Sequence, residues 1–347
     1  MNIYLFFTRV CVSKVFGLVT QEIRFFMDNV MNTGNMLGLD RATLNVYLIE
    51  GTRSDDEPDV LLHVDSYTVF GGFLEALIVK MLKDAGSEGK VDASWIVNEY
   101  AEFVRNIKKY EMEILSHTKR YFEKINNMAD ALRSVGLRVK IHASELSSGI
   151  ELYLSGRYEV LREHISRKMN ELSAEGVEKI VIVSPFEYAL YSKRYLEQSP
   201  TFPMKLVFFP DMLSDCLSAK KFNARILIYE PYQAPVSIFR SDIRDVVVDK
   251  IGSIEDIMHK MDGVEIVDKK SKGTPIGYEQ IWMVNPMVAV EMARGLLEAY
   301  MDQVDVIITV RTSTAIILRV AGEFYGLKVP VYDYADLFSR IVLGLEV

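Results

Sequence analysis

The sequence predicts an α/β fold of two similar domains, each built on a largely parallel sheet. One helical N-terminal arm precedes the first domain. Short apolar runs alternate with helical patterns of about ten or more residues, as strands and crossover helices do in α/β proteins. Both halves follow the order strand, helix, strand, turn, helix, strand. This repetition indicates an internal duplication, with the two domains related by a pseudo-twofold axis.

The domain plan has three parts. Residues 1–57 form the N-terminal helical arm and a linker, which ends in the polar stretch GTRSDDEP. Residues 58–222 form the first α/β domain, with a helical insertion at about 70–115, and residues 223–347 form the second. Apolar residues 1–19 are interrupted by Arg9 and Lys14, so they are too short and too charged to span a bilayer. Residues 16–30 have helical spacing, which suits packing on this chain or a partner, or attachment to a membrane surface.

The elements follow from local patterns. Apolar runs predict strands at 60–64, 138–142, 179–183 and 205–209 in the first half, and at 226–229, 307–310 and 328–332 in the second. Helical spacing predicts helices at 73–83, 93–136, 158–174 and 185–195. The insertion either folds back on the core or docks a partner. Ligands of such sheets lie beyond the carboxyl ends of the strands, so the turns after Val64, His142, Val183, Tyr229 and Val310 mark the expected site.

Composition excludes several functions. A net charge of −8 argues against a nucleic-acid-binding surface. The two cysteines, Cys11 and Cys216, form neither a disulfide framework nor a metal motif, and the five histidines are scattered. The sequence has no GxGxxG, P-loop, HExxH or GxSxG motif. We therefore expect a cytoplasmic protein without a cofactor, with membrane contact only through partners or the N-terminal arm.

Spaced segments in both halves resemble the tandem cysteine-rich (CCG) domain family, which includes the catalytic subunits of heterodisulfide reductase. It also includes the iron–sulfur subunits of anaerobic glycerol-3-phosphate dehydrogenase and glycolate oxidase. The resemblance is carried by these segments: Asn32-Thr33-Gly34-Asn35, Ser147-Ser148-Gly149, Ser184-Pro185-Phe186-Glu187, Tyr229-Glu230-Pro231-Tyr232, Asp262-Gly263-Val264-Glu265, Asn285-Pro286 and Arg311-Thr312-Ser313-Thr314.

The resemblance implies cysteine ligands for an iron–sulfur cluster, and this chain has lost all of them. Other residues stand at those positions, namely Tyr67, Ser147, Ser148, Ser184, Glu187, Tyr232, Arg311 and Thr314, while the second Cys-Cys-Gly turn falls near 272–277. Hydroxyl groups are poor substitutes for thiolates. The resemblance therefore implies a heterodisulfide-reductase-like subunit without clusters. Such a subunit would be a structural or regulatory component of an oxidoreductase complex, paired with cluster- or flavin-bearing proteins and not catalytic by itself.

A second hypothesis is a small-molecule, anion-binding protein or enzyme that uses the vacated clefts. Arg311 and His63 are its candidate anion contacts, with Asp65 and Glu230 nearby. The alternatives, which the sequence favours, are an ion pair of Arg311 with Glu230 or Asp65 and a buried core histidine at His63.

Two serine motifs have local explanations. Ser184, Pro185 and Glu187 have the spacing of a helix capping box, against a role for Glu187 as acid, base or ligand. Ser147 and Ser148 suit a tight turn, against a serine nucleophile with His142 as its base.

Overall fold

The two halves of the chain each form a four-stranded parallel sheet in the computed structural model. The structure describes residues 21–35, 37–38, 54–88, 93–144, 146–154, 156–198, 204–229, 241–267 and 285–347. Glu230, Tyr232, the turn at 272–277, Cys11 and the first part of the N-terminal arm lie outside the described residues. Predictions that concern them stay predictions.

The strand order is the same in both sheets. The first sheet has the order β2-β1-β3-β4, and its strands are β1 (Val60–His63), β2 (Val139–His142), β3 (Lys179–Ile182) and β4 (Lys205–Phe208). The second has the order β6-β5-β7-β8, and its strands are β5 (Lys221–Tyr229), β6 (Asp262–Ile266), β7 (Val306–Thr309) and β8 (Val331–Asp333). The predicted α/β fold with two parallel sheets is confirmed.

The central strands β1 and β7 are largely apolar because helices cover both faces of each sheet. All four residues of β1 are buried, and so are all four of β7. Strand β8 begins at Val331 and not at 328 as predicted, because Pro330 has no amide hydrogen to donate to the sheet.

Most helices begin and end close to the predicted patterns, but the predicted stretch 93–136 is two helices, because the chain leaves the α-helix at residues 106–110. Those of the first half are α1 (Gln21–Thr33), α2 (Ser66–Val69), α3 (Gly71–Glu88), α4 (Ala93–Arg105), α5 (Glu111–Ser134), α6 (Ile150–Leu154), α7 (Tyr158–Ala174), α8 (Pro185–Leu190), α9 (Leu196–Gln198) and α10 (Phe209–Ser218). Those of the second half are α11 (Ser241–Lys260), α12 (Pro286–Tyr300), α13 (Thr312–Tyr325) and α14 (Tyr334–Leu343). A 3₁₀ turn (Ile107–Tyr110) precedes α5, and a π-helical turn (Tyr191–Tyr195) continues α8.

The helices of the arm and the insertion pack onto the rest of the chain. Helix α1 buries Met27 and Val30, and the Phe25 ring meets that of Tyr100 in α4 edge-on at 5.2 Å. Helix α3 is buried on nearly all sides over its first half, which includes Phe73 and Leu77, and packs against α5 and α13. No helix in the described part of the chain is long and apolar enough to cross a bilayer.

Helix α5 ties the two halves together. It belongs to the first half and packs against α14 of the second, while α3 packs against α13. The buried Glu75 of α3 faces Arg319 of α13 at 3.1 Å and accepts a hydrogen bond from the Tyr121 hydroxyl at 2.6 Å. Burial would raise the pKa of Glu75, but Arg319, His117, Arg120 and Tyr121 outweigh it and lower that pKa to about 2.

Candidate functional site

A small cavity lies where the carboxyl ends of strands from both sheets meet. The strand ends after β1, β3 and β7, and the end of β8, contribute its polar lining, which comprises Asp65, Tyr67, Ser184, Glu187, Arg311 and Asp333. Glu151 of α6 closes another side. The carboxyl ends of parallel strands open on the same edge of a sheet, and this is why residues distant in sequence meet here. The space open to the centre of a water-sized sphere is about 30 Å³, which is room for roughly two or three waters, so the cavity admits only a small molecule.

Two of the lining carboxylates also hold helices in place. Asp65 caps α2 by accepting a hydrogen bond from the Thr68 amide at 3.0 Å, and it accepts another from the Thr68 hydroxyl at 2.6 Å. Asp333 caps α14 through the Asp336 amide at 3.2 Å, and its Oδ2 lies 2.7 Å from Nζ of the buried Lys124. These contacts fix both side chains at the cavity wall.

Glu187 departs from the capping-box prediction in part. The Ser184 hydroxyl accepts a hydrogen bond from the Glu187 amide at 3.4 Å, which is the expected half of the motif. The Glu187 carboxylate instead lines the cavity, with Oε2 3.7 Å from Nε2 of His63. Burial raises the pKa of Glu187 to about 8, with the negative charges of Asp65 and Glu151 adding to it. Glu187 is therefore mostly protonated at neutral pH.

His63 lies behind Glu187, at the last position of β1. Its Nδ1 is 3.1 Å from Nδ1 of His142, and the Tyr191 hydroxyl lies 3.2 Å from its Nε2. Burial lowers the pKa of His63 well below its usual value, and the charge of Lys168 and the neighbouring His142 lower it further. His63 is thus a neutral, buried group that contacts the cavity residue Glu187.

The sequence contains a pattern that indicates this histidine pair, although it belongs to none of the known catalytic motifs. Strands β1 and β2 read VLLH and VKIH, and both end in histidine. The two strands pair in parallel with His63 opposite His142. Two neighbouring parallel strands that end in the same polar residue bring those side chains together.

Arg311 is the cation of the cavity. It occupies the position before α13 in an extended conformation, and its guanidinium lies 3.8 Å from the centre of the Phe186 ring. The alternative partner Asp65 lines the same cavity, so the structure brings Arg311 and Asp65 to one site. Ser313 and Thr314 lie in the first turn of α13, and both are buried.

The two serines at 147 and 148 form a turn, as the local reading of the sequence expects. The Ser147 hydroxyl accepts a hydrogen bond from the amide of Gly149, whose φ of +83° places it in the left-handed region. His164 Nε2 donates to the Ser147 carbonyl at 2.7 Å. The ring nitrogens of His142, the candidate base for a serine nucleophile, instead face His63 and Glu171.

The residues at the positions that the resemblance assigns to cluster ligands do not suit an iron–sulfur cluster. None of those described is a thiolate, and the Ser184 hydroxyl is used as a helix cap. Among the described residues, no group of three or more His, Cys, Asp or Glu could hold a metal ion.

Two of the solved structures that match this chain are related to racemases. No family model matches the chain, and no curated protein matches it. A structure described as "a putative Asp/Glu Racemase from Yersinia pestis" has 10% sequence identity and a TM-score of 0.33, over 82% of this chain and 98% of that one. An aspartate racemase homologue from Pyrococcus horikoshii OT3 has 10% identity and a TM-score of 0.29, over 64% of this chain and 93% of the other.

The prediction of a heterodisulfide-reductase-like subunit in an oxidoreductase complex is wrong. The solved structures that match are racemase-related, and neither is a heterodisulfide reductase or a CCG-domain protein. Four of the positions that the resemblance assigns to cluster ligands, Tyr67, Ser184, Glu187 and Arg311, line a polar cavity. The resemblance of the sequence motifs to the CCG family stays a prediction, and so do the expected protein partners.

Proposed function

We propose that the chain binds a small zwitterion in the cavity between the two sheets and that Glu187 acts as a general acid toward it. The observation that carries this proposal is the meeting of a buried arginine and a buried glutamic acid, one from each half, in one small cavity. Cavities with few convergent polar groups and a perturbed pKa are the usual form of small-molecule sites.

Arg311 supplies the contact for the negative end of the ligand. A guanidinium binds a carboxylate with two hydrogen bonds, and the first amides of the 14-residue helix α13 add positive potential at the same point. Asp65 and Glu151 lie in the same lining and would repel a ligand that is only anionic. A molecule with both a carboxylate and an ammonium group satisfies both sides of the cavity.

Glu187 supplies the proton. At a pKa of about 8 its carboxyl is protonated at neutral pH and can donate to a ligand oxygen, which an ionised carboxylate cannot do. Binding should therefore weaken as the pH rises above about 8.

The first test is calorimetric titration with glycine, acetate and methylamine, which present the whole zwitterion and its two halves at similar size. Glycine should bind more tightly than either half. Arg311→Lys should weaken glycine binding by about tenfold, since lysine cannot form the paired hydrogen bonds. Arg225→Lys is the matched control, because Arg225 pairs with Asp305 on the surface. Equal affinities for glycine, acetate and methylamine, or for the wild type and Arg311→Lys, would refute the proposal.

The second test uses Glu187→Gln, which keeps the shape and a neutral donor. This variant should bind glycine at pH 7 and lose the weakening above pH 8 that the wild type shows. A wild-type affinity that is constant from pH 6 to about 9.5 would remove the role of Glu187.

A further inference from the structure

A line of buried polar side chains connects the cavity to the protein surface. It starts at Glu187, whose Oε2 is 3.7 Å from His63 Nε2, and passes through the 3.1 Å contact between the Nδ1 atoms of His63 and His142. It ends at Glu171, whose Oε1 is 3.3 Å from Nε2 of His142. Both histidines are buried, whereas the side chain of Glu171 is 27% exposed. The line therefore has one end at the cavity and the other at solvent.

The charge of Glu171 fixes the direction of the hydrogen bonds. Burial would raise the pKa of Glu171, but His142, Lys168 and Ser144 outweigh it and lower that pKa to about 2. An ionised carboxylate only accepts hydrogen bonds, so its charge favours a hydrogen on Nε2 of His142, which lies 3.3 Å away. Nδ1 of a neutral His142 is then an acceptor.

The same logic assigns His63. Since Nδ1 of His142 accepts, Nδ1 of His63 carries the hydrogen and donates across the 3.1 Å contact. Nε2 of His63 is left as an acceptor, and it faces the Tyr191 hydroxyl and the carboxyl of Glu187. Every donor in the line thus points from the cavity toward Glu171.

Neighbouring charges keep this arrangement. Lys168 is fully buried, lies 3.2 Å from Glu171 Oε2 and donates to the Leu146 carbonyl at 2.9 Å. Glu175 lies 3.9 Å from His142 Nε2 on the solvent side. At the cavity end, Asp65 and Glu151 raise the pKa of Glu187. The Tyr195 hydroxyl, beside Tyr191, donates to the Ser148 carbonyl at 2.9 Å.

We propose that His63 and His142 form a proton relay that exchanges protons between Glu187 in the cavity and Glu171 at the surface. In one transfer the Glu187 O–H proton moves to His63 Nε2, the Nδ1 proton of His63 moves to Nδ1 of His142, and the Nε2 proton of His142 moves to Glu171. Each histidine gains one proton and loses one, and a single negative charge passes from Glu171 to Glu187. The transfer leaves the hydrogens on Nε2 of His63 and Nδ1 of His142, and the reverse transfer from the protonated Glu171 restores the starting state. The relay thereby sets the protonation of Glu187 before a ligand binds, so its use rests on the proposed function.

One contact must shorten for the transfer. The 3.7 Å between Glu187 and His63 exceeds hydrogen-bond reach by roughly 0.5 Å, which a small rotation of the carboxyl covers. The Tyr191 hydroxyl, 3.2 Å from Nε2 of His63, must turn away at the same time, because Nε2 has one lone pair and cannot accept from both groups.

The first experiment is ¹⁵N NMR of the histidine rings in the full, ligand-free chain at neutral pH. His63 should carry its hydrogen on Nδ1 and His142 on Nε2. His164 gives an internal reference, since its Nε2 donates to the Ser147 carbonyl. A hydrogen on Nε2 of His63, or on Nδ1 of His142, would overturn the relay. No ligand is used, so failure of the zwitterion proposal leaves this test unaffected.

The second experiment measures proton flow. After a pH jump across pH 8, the infrared band of the protonated Glu187 carboxyl, identified by its loss in Glu187→Gln, should change at least about tenfold more slowly in His142→Gln than in the wild type. Glu175→Gln is the matched control: it also neighbours His142 but lies beside the line, and it should behave as the wild type does. Equal rates in His142→Gln and the wild type would refute the relay.

Discussion

Replacing Lys124 by methionine should destabilise the fold strongly, because Lys124 sits at the boundary of the two halves. Its Nζ lies 2.7 Å from Asp333 Oδ2 and donates to the hydroxyls of Thr68 and Thr312 at 2.6 and 2.9 Å. Only 3% of its side chain is exposed. Methionine keeps the apolar stem and removes the charge, so Asp333 remains buried without its cation.

The size of the effect follows from the burial of the pair. Removing one partner of a buried ion pair costs about 3–5 kcal/mol, since the other charge stays desolvated. With an unfolding entropy of about 2.1 cal/mol/K per residue, each kcal/mol lowers the Tm of this 347-residue chain by roughly 1.4 °C, so Lys124→Met should melt about 4–7 °C below the wild type. The hydroxyls of Thr68 and Thr312 also lose their donor, which acts in the same direction.

Urea unfolding followed by circular dichroism measures this free energy directly. Lys119→Met is the matched control in the same helix, because its side chain is 80% exposed and its contact with Glu123 is 3.8 Å. That change should cost about 0–1 kcal/mol. The double variant Lys124→Met/Asp333→Leu removes both charges and should recover part of the loss. A loss below about 1 kcal/mol in Lys124→Met would show that the pair does not stabilise the contact between the halves.

Two further predictions concern stability. Glu187 binds its proton more tightly in the folded chain, with a pKa of about 8 against 4.5 for a free glutamate. Its protonation therefore adds to the free energy of unfolding fully below about pH 4.5, and this contribution is lost as the pH rises through 8. Urea unfolding from pH 5 to about 8 should therefore show a decline that Glu187→Gln lacks, and parallel curves for the two proteins would contradict it. Gly72→Ala should cost about 1–3 kcal/mol, because its Cβ would lie 2.8 Å from backbone atoms of Thr118. Gly252→Ala should instead stabilise α11 by about 0.5–1 kcal/mol, because nothing lies within 4 Å of its Cβ. Thermal melts of both variants measure the two stability changes, and equal changes would show that close helix packing at Gly72 is not their cause.

The sheet architecture could be predicted from the sequence because its signals are local. Apolar runs such as those of β1 and β7 are short, bounded by turns and buried on both faces, so composition alone marks them as strands. The cavity could be placed in outline as well, because the ends of parallel strands share one edge of a sheet.

The chemistry of the cavity could not be predicted in the same way. The local spacing of Ser184 and Glu187 matches a capping box, and the serine does cap the helix. The partner that decides the role of Glu187 is His63, which lies in another strand far away in the chain. A local pattern carries no information about such a contact, and the raised pKa of Glu187 follows from burial that only the assembled fold provides.

The links across the two halves limit how the molecule can move. Many proteins with a site between two domains admit their ligand by rigid-body hinge rotation. Here the Lys124–Asp333 and Glu75–Arg319 pairs both cross the boundary inside the protein, and such a rotation would have to break buried ion pairs. Access to the cavity therefore depends on rearrangement of side chains around it, and the structures with and without a ligand should superimpose with the two sheets in the same relative orientation.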